Sequence, residues 1–111
     1  MRQYEIWWAR LPEPIGRRPV LLLTRTPALH YLNKVIVVEI TTRIREIPVE
    51  LVLGRPEGLR RRSVANFDNT HVIAKATLEK RIGALTRSRV REAKACLGWA
   101  LDWPELKAPE A

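Results

Sequence analysis

The stretch KVIVVEITT, residues 34–42, is nearly continuous in β-branched and apolar side chains and ends in the paired threonines Thr41 and Thr42. Such side chains favour extended backbone. A run without polar alternation is typical of a strand that is covered on both faces of a sheet. We therefore predict a buried central strand over this stretch.

Two strands are predicted before it. YEIWWARL (4–11) alternates loosely, as expected of a strand with both faces partly covered. The turn PEPIG (12–16) separates it from RRPVLLLT (17–24), where Pro19 lies at the strand entrance and its missing N–H disturbs the sheet least. The segment PALHYLN (27–33) is too short and irregular to assign.

Several short elements follow the central strand. PVELVL (48–53) alternates and predicts a strand, and SVANFDN (63–69) predicts a short strand with a polar end. The basic turn GRPEGLRRR (54–62) joins them. KATLEK (75–80) fits one helical turn, and RIGAL (81–85) fits another short strand. The many short strands indicate a mainly β protein.

The C-terminal part changes to a helical period. Thr86 fits the N-cap of a helix over residues 87–103 that ends before Pro104. The apolar stripe of this helix is formed by Val90, Ala93, Leu97 and Leu101. The whole pattern predicts one domain, residues 1–103, in which a small curled antiparallel sheet or barrel is capped by the helix, and a flexible tail over residues 104–111.

The charge balance indicates a class of partner. The 111 residues include 20 Lys and Arg against 12 Asp and Glu, a formal net charge of +8. An excess of arginine on a small domain favours a polyanion, with nucleic acid first and an acidic protein second. A highly soluble surface is the alternative.

Other features exclude function classes. The single cysteine, Cys96, cannot form an internal disulfide, and His30 and His71 do not cluster with carboxylates, so we predict no metal site and no cofactor. No apolar run is long enough to span a membrane, and MRQYEIWW lacks a charged leader with an apolar stretch and a cleavage site. We expect a cytoplasmic protein with no membrane partner.

Arg18 is the first candidate functional residue. Pro19 restricts its backbone to extended conformations, and its planar guanidinium can bind two phosphate oxygens at once. A surface ion pair with a carboxylate is the alternative. Thr41 or Thr42 could donate a hydroxyl to an oxyanion, although threonine also simply favours strands. His71 could act as a general base or be a structural residue.

Two further groups could bind nucleic acid. The run Arg60, Arg61 and Arg62 is either a solvated loop or a surface that steers phosphate. Trp7 and Trp8 could stack a base if one ring is exposed, although core packing is the more common use of tryptophan.

Four stretches in this order make the chain resemble a known family: YEIWWARL, GRRPVLLL (16–23), VVEITT (37–42) and GLRRRSVANFDNTHVIAKATLEKRIGAL (58–85). Over residues 4–101 the chain resembles the MazF/PemK family of bacterial toxins, the sequence-selective endoribonucleases called mRNA interferases. The resemblance implies an SH3-like β-barrel of the MazF/PemK/CcdB type with a C-terminal helix.

The resemblance also implies an activity and partners. Members of the family are homodimers of type II toxin–antitoxin systems that bind RNA in a groove near the dimer interface. They cleave single-stranded RNA without a metal and leave a 2′,3′-cyclic phosphate and a 5′-hydroxyl. The substrate would be mRNA, with tRNA or rRNA as alternatives. A cognate antitoxin with an acidic, flexible tail would cover the groove.

The family's functional residues fall on positions of this chain. The resemblance implies that Arg18 and Thr41 are catalytic and that Asp68 and Asn69 contact RNA bases. The serine that opens the same strand falls on Ser63. The full set expected to bind RNA is Arg17, Thr42, Arg43, Ser63, Asp68 and Asn69. The loop before Arg17 is shorter here, PEPIG in place of a longer glycine-rich loop, so gating on that side could differ.

Two alternatives stay open. Related toxins with the same barrel act on DNA gyrase through C-terminal residues that include tryptophan, and this chain has Trp99 and Trp103. The shortened loop would also suit a catalytically inactive module that binds RNA or an antitoxin.

Overall fold

The computed structural model describes residues 1–107, and within them the chain forms a six-stranded sheet and two helices. The strands are β1 (Glu5–Arg10), β2 (Arg17–Leu22), β3 (Lys34–Thr41), β4 (Glu50–Leu53), β5 (Ser63–Ala74) and β6 (Leu78–Ala84). The helices are α1 (Val90–Leu101) and α2 (Pro104–Lys107). The strand order is β4-β5-β3-β2-β1-β6, and every neighbouring pair is antiparallel. The predicted mainly β fold, a curled antiparallel sheet with a C-terminal helix, is confirmed.

Strand β3 lies in the middle of the sheet and is covered on both faces. Val38 and Ile40 belong to one apolar cluster, and Val35 and Val37 belong to another. Because successive residues of a strand point to opposite faces, the two clusters lie on opposite sides of the sheet. Helix α1 covers the first cluster, in which Cys96 is buried. The predicted buried central strand is therefore confirmed.

Strand β5 differs from the prediction. A short strand over 63–69 was expected, but β5 runs for 12 residues. Its pairing with β3 is interrupted, because Val38 pairs with Thr70 whereas Ile40 pairs with Ala65. Residues 66–69 therefore bulge opposite a single residue of β3. The polar residues of this segment predicted a strand end, and the structure places a bulge there from which pairing resumes.

The start of the C-terminal helix also differs. Thr86 was expected to cap it, but a 3₁₀ turn at Arg87–Arg89 comes first and α1 begins at Val90. The Thr86 hydroxyl instead lies 3.0 Å from that of Ser88. Leu101, expected in the apolar stripe, is exposed. The single turn expected over 75–80 occupies Lys75–Thr77, and β6 begins directly after it.

The segment after α1 forms a second, short helix within the stretch that was predicted as a tail. Helix α1 ends with Asp102 in a left-handed conformation, before Pro104, and Pro104 begins α2. Helix α2 packs closely on α1, since a Cβ at Gly98 would lie 2.6 Å from the Cβ of Leu106. Residues 108–111, the rest of the predicted tail, lie outside the described residues. None of the helices in residues 1–107 has the length and hydropathy needed to cross a membrane.

Candidate functional site

A cavity of about 600 Å³ opens where β2 begins, β3 ends and the basic loop 54–62 returns to the sheet. We call it the basic cavity. Its charged and hydroxyl-bearing lining residues are Arg17, Arg18, Arg60, Arg61, Thr41, Thr42 and Ser63. An opening lined by four arginines and three hydroxyls has the chemistry of a phosphate site.

The antiparallel register explains why these residues meet. Strand β2 pairs with β3 so that Val20 lies opposite Glu39, which puts Arg18, two residues earlier, beside the end of β3. Strand β3 pairs with β5 so that Thr41 lies opposite Val64, next to Ser63. The start of β2, the end of β3 and the start of β5 therefore share one end of the sheet.

The basic loop is held against β6 by close backbone contact. A Cβ at Gly83 would lie 2.0 Å from the carbonyl oxygen of Glu57. A Cβ at Gly58, whose φ is +93°, would lie 2.5 Å from the carbonyl oxygen of Ile82. Only glycine fits either position without moving backbone. This docking directs Arg60 and Arg61 towards the basic cavity.

A buried carboxylate supports the same loop. Glu57 is 3% exposed and accepts hydrogen bonds from the Gly54 N–H (2.6 Å) and from Arg89 Nη1 (3.3 Å). Arg89 also donates to the carbonyl of Val52 at 2.7 Å. The loop is thus tied to β4 and to the turn that precedes α1.

Arg18 belongs to a charged row across three neighbouring strands. Its Nη1 donates to Glu39 Oε1 at 3.1 Å, and His71 Nε2 lies 2.9 Å from Glu39 Oε2. His71 Nε2 is buried and makes no hydrogen bond among the described residues. Within residues 1–107 the side chain of Arg18 makes this one hydrogen bond, so further guanidinium N–H groups are left for a ligand. The ion pair anticipated as the alternative role is present, and Arg18 also lines the cavity.

Arg17 lies beside Arg18 on a tryptophan. Its guanidinium carbon is 4.2 Å from the centroid of the Trp8 ring, a cation–π distance. Its Nε also donates to Glu79 Oε1 at 2.9 Å, and Arg10 Nε reaches the other oxygen at 3.1 Å. The hydrogen bond from Arg17 is the largest factor that lowers the pKa of Glu79. Trp8 itself lines the cavity, so it is not used only for core packing.

The three hydroxyl groups that line the basic cavity differ in the hydrogen bonds that they already make. Thr41 Oγ1 accepts a hydrogen bond from the Arg43 N–H at 3.2 Å, which leaves its own hydrogen to donate. Thr42 is exposed at the cavity. The hydroxyl of Ser63 is buried and donates to the carbonyl of Arg61 at 3.0 Å, so it also supports the basic loop.

Three expected residues lie outside the lining of the basic cavity. Arg43 follows Thr42 and is exposed. Asp68 and Asn69 lie in the β5 bulge, several residues along the strand from Ser63, and both are exposed. The bulge is held by the Asp68 N–H, which donates to Asn66 Oδ1 at 3.0 Å.

Glu39 is the residue that sequence reasoning missed. It is 8% exposed and directly follows four apolar residues of β3, residues 35–38. A lone acid inside a buried strand requires a charged or hydrogen-bonding partner, and this was the available signal.

Comparison with known proteins gives the family. Residues 2–101 match the family model described as PemK-like, MazF-like toxin of type II toxin-antitoxin system. The chain belongs to this toxin family. It is similar to "Probable endoribonuclease MazF5" of Mycobacterium tuberculosis, with 37% identity over 88% of this chain and 90% of the relative. It is also similar to Endoribonuclease MazF3 of that species, with 38% identity over 78% of this chain and 85% of the relative.

Solved structures of MazF-like toxins have the same fold. The Mycobacterium tuberculosis toxin MazF-mt6 superposes with a TM-score of 0.83 and 35% identity, covering 88% of this chain and 96% of that one. An endoribonuclease in complex with its cognate antitoxin, from a mycobacterial species, superposes with a TM-score of 0.81. At 23% identity over 94% of this chain and 97% of that one, the second likeness shows the fold alone.

Proposed function

We propose that this chain is the toxin of a type II toxin–antitoxin pair and an endoribonuclease that cleaves single-stranded RNA without a metal ion. The observation that carries the proposal is the basic cavity, in which the guanidinium-bearing Arg18 and the hydroxyl-bearing Thr41 meet at one end of the sheet. The endoribonuclease names of its relatives support the same reaction class.

The proposed reaction is an internal transesterification. The ribose 2′-oxygen attacks the adjacent phosphorus, the bond to the 5′-oxygen breaks, and a 2′,3′-cyclic phosphate and a 5′-hydroxyl result. The 2′-hydroxyl loses a proton and the departing 5′-oxygen gains one. Negative charge grows on the non-bridging oxygens in between.

Arg18 and Thr41 would stabilise that growing charge. The free N–H groups of Arg18 and the unused hydrogen of the Thr41 hydroxyl are donors held in place before substrate arrives. Removing one such preorganised donor costs about 100- to 1000-fold in rate, roughly 3 to 4 kcal/mol. A guanidinium is a poor base, so neither proton transfer is assigned to Arg18.

The remaining expected residues would bind the RNA chain. Arg17 and Thr42 line the basic cavity and would contact flanking phosphates, with Ser63 supporting them through the basic loop. Arg43, Asp68 and Asn69 are exposed outside the cavity, where a longer RNA could reach them. A homodimer and an antitoxin with an acidic tail complete the proposal, since an acidic segment would complement the arginines of the cavity.

The test is to incubate the purified protein with mixed single-stranded RNA in EDTA and to analyse fragment ends. Discrete fragments with 5′-hydroxyl and 2′,3′-cyclic phosphate ends would support the proposal. Fragments with 5′-phosphate ends, or cleavage that requires added metal, would contradict it.

One observation favours a second candidate. Trp99 and Trp103 are each nearly half exposed at the C-terminal end, and Lys107 lies 4.7 Å from the centroid of the Trp99 ring. Exposed tryptophans suit a protein partner such as DNA gyrase. Inhibition of supercoiling without RNA cleavage would favour that function, and RNA binding without any change in RNA length would favour an inactive binding module.

A further inference from the structure

We propose that Glu39 is a positioning residue for Arg18, and that His71 steadies Glu39 from the opposite side. This inference rests on the proposed function, in which Arg18 binds the scissile phosphate. It assigns a role to a carboxylate that lies outside the lining of the basic cavity and would not touch the RNA.

The burial of Glu39 is the first support. Its neighbours on β3, Val38 and Ile40, are almost completely buried, and Glu39 itself is 8% exposed. A carboxylate in such a place is stabilised only by close cationic or hydrogen-bonding partners, and apolar residues of similar volume are often as stable or more so. The carboxylate of Glu39 is therefore better explained by its partners than by the stability of the sheet.

The geometry of Arg18 is the second support. Pro19 restricts the backbone of Arg18 at one end of the side chain, and the 3.1 Å bond to Glu39 Oε1 holds the guanidinium at the other end. An arginine side chain has many rotamers, so an unrestrained one would bind a phosphate in many orientations. With both ends held, the remaining N–H groups keep one direction before substrate arrives.

His71 completes the row. Its Nε2 lies 2.9 Å from Glu39 Oε2, on strand β5, while Arg18 is on β2. Glu39 thus has Arg18 beside one oxygen and His71 beside the other. With the imidazole in contact with Oε2, the carboxylate has less room to rotate away from Arg18 than it would have beside Arg18 alone.

Replacing Glu39 is expected to slow catalysis without weakening substrate binding. A carboxylate beside Arg18 repels an incoming phosphate, so loss of its charge would not weaken ground-state binding. Glutamine still offers Arg18 an oxygen acceptor, but the bond loses its charge assistance and holds the guanidinium less firmly at the transition state. A misplacement of about 1 Å can cost about 100-fold in rate. Glu39→Gln is therefore expected to lower kcat by about 10- to 100-fold without raising KM.

The experiment is a double-mutant cycle in RNA cleavage with Glu39→Gln, Arg18→Ala and the pair together. We expect Glu39→Gln to have no further effect in the Arg18→Ala background, because it acts through Arg18. Glu5→Gln is the matched control. Glu5 is also 8% exposed and accepts a 2.9 Å bond from Arg81, but it lies outside the cavity lining. It should keep kcat.

His71→Gln is the second variant, in case Glu39→Gln does not fold. We expect it to lower kcat without raising KM, and again to have no effect once Arg18 is absent. Unchanged kcat in folded Glu39→Gln or His71→Gln would overturn the proposal. So would a loss that adds fully to that of Arg18→Ala.

A measurement without RNA separates this inference from the proposed function. NMR relaxation of the Arg18 Nε–H group should show an ordered side chain in the wild type and a mobile one in Glu39→Leu, which has no oxygen to accept from Arg18. If the wild type does not cleave RNA, the proposed function fails, while loss of order in the variant still supports the tether. An equally ordered Arg18 in both proteins would overturn the tether, whatever the activity.

Discussion

Replacing Gly83 with alanine tests how the basic loop is held. A Cβ at this position would lie 2.0 Å from the Glu57 carbonyl oxygen and 2.8 Å from its carbonyl carbon. Ordinary contact begins near 3.4 Å, so the loop or β6 must move by roughly 1.4 Å. Both obstructing atoms belong to the backbone, so a change of side-chain rotamer cannot relieve the clash.

The loss of folding stability expected for Gly83→Ala follows from that displacement. Overpacking typically destabilises by about 1 to 3 kcal/mol, and a clash between two backbones belongs at the upper end, about 3 kcal/mol. For a domain of this size that corresponds to a fall in Tm of roughly 10 °C. The displaced loop also carries Arg60 and Arg61, so RNA cleavage should fall at temperatures where the variant is still folded.

Thermal unfolding followed by circular dichroism, with cleavage measured at 25 °C, checks both expectations. Gly54→Ala is the control, because a Cβ there meets nothing within 4 Å in the same loop. It should stay within about 0.5 kcal/mol of the wild type. A Gly83→Ala protein with unchanged Tm and unchanged cleavage would refute the account of the loop.

Three other predictions concern single groups. Cys96 is 7% exposed and burial raises its pKa to about 11, so its thiol should react with Ellman's reagent at pH 8 far more slowly in the folded protein than in the unfolded chain; equal rates would contradict this. Burial opposes ionisation of Glu5, but hydrogen bonds from Trp7, the Arg2 backbone and Arg81 outweigh it and lower its pKa below 4.5. The stability that Glu5 contributes should therefore be complete above pH 4.5 and lost as the pH falls through the lower, folded pKa. Below pH 4.5, Tm should depend less steeply on pH in Glu5→Gln than in the wild type. The same dependence of Tm on pH in both proteins would contradict this role of Glu5. Arg60→Ala should weaken binding of a non-cleavable 2′-deoxy oligonucleotide and reduce the salt slope by about 0.7, whereas an unchanged slope would remove Arg60 from the phosphate contacts.

The sequence predicted those elements whose burial follows from the order of apolar and polar residues within the element itself. The run 34–42 has apolar residues at both parities, and that alone indicates a strand covered on both faces. Strand β5 could not be predicted in this way. Its pattern is broken by the polar residues Asn66, Asp68 and Asn69, and pairing with β3 resumes beyond the bulge because of the neighbouring strand.

The bounds of the helices likewise could not be predicted from local sequence alone. Helix α1 begins at Val90, and Arg89 directly before it donates hydrogen bonds to Glu57 and to the Val52 carbonyl, both distant in sequence. Helix α2 is too short to be stable alone and depends on the close approach that Gly98 allows. Neither contact has a signal in the local periodicity.

In the candidate site, too, some residues were predicted from the sequence and others were not. Arg18 and Thr41 were expected together, and the register of β2 and β3 brings both to the basic cavity. Glu39 and the docking at Gly83 were not foreseen, because each depends on residues that are distant in sequence: Glu39 on Arg18 and His71, and Gly83 on Glu57. Pairwise contacts of this kind follow from the fold and are not visible in a single strand.

The most direct test of the central claim is the cleavage rate of Arg18→Ala relative to wild type, on one defined single-stranded RNA in EDTA. Arg87→Ala provides the control for lost charge, since Arg87 is exposed and lies outside the cavity lining. We expect a loss of about 100-fold or more for Arg18→Ala and near wild-type cleavage for Arg87→Ala. Equal cleavage by wild type and folded Arg18→Ala would contradict the claim.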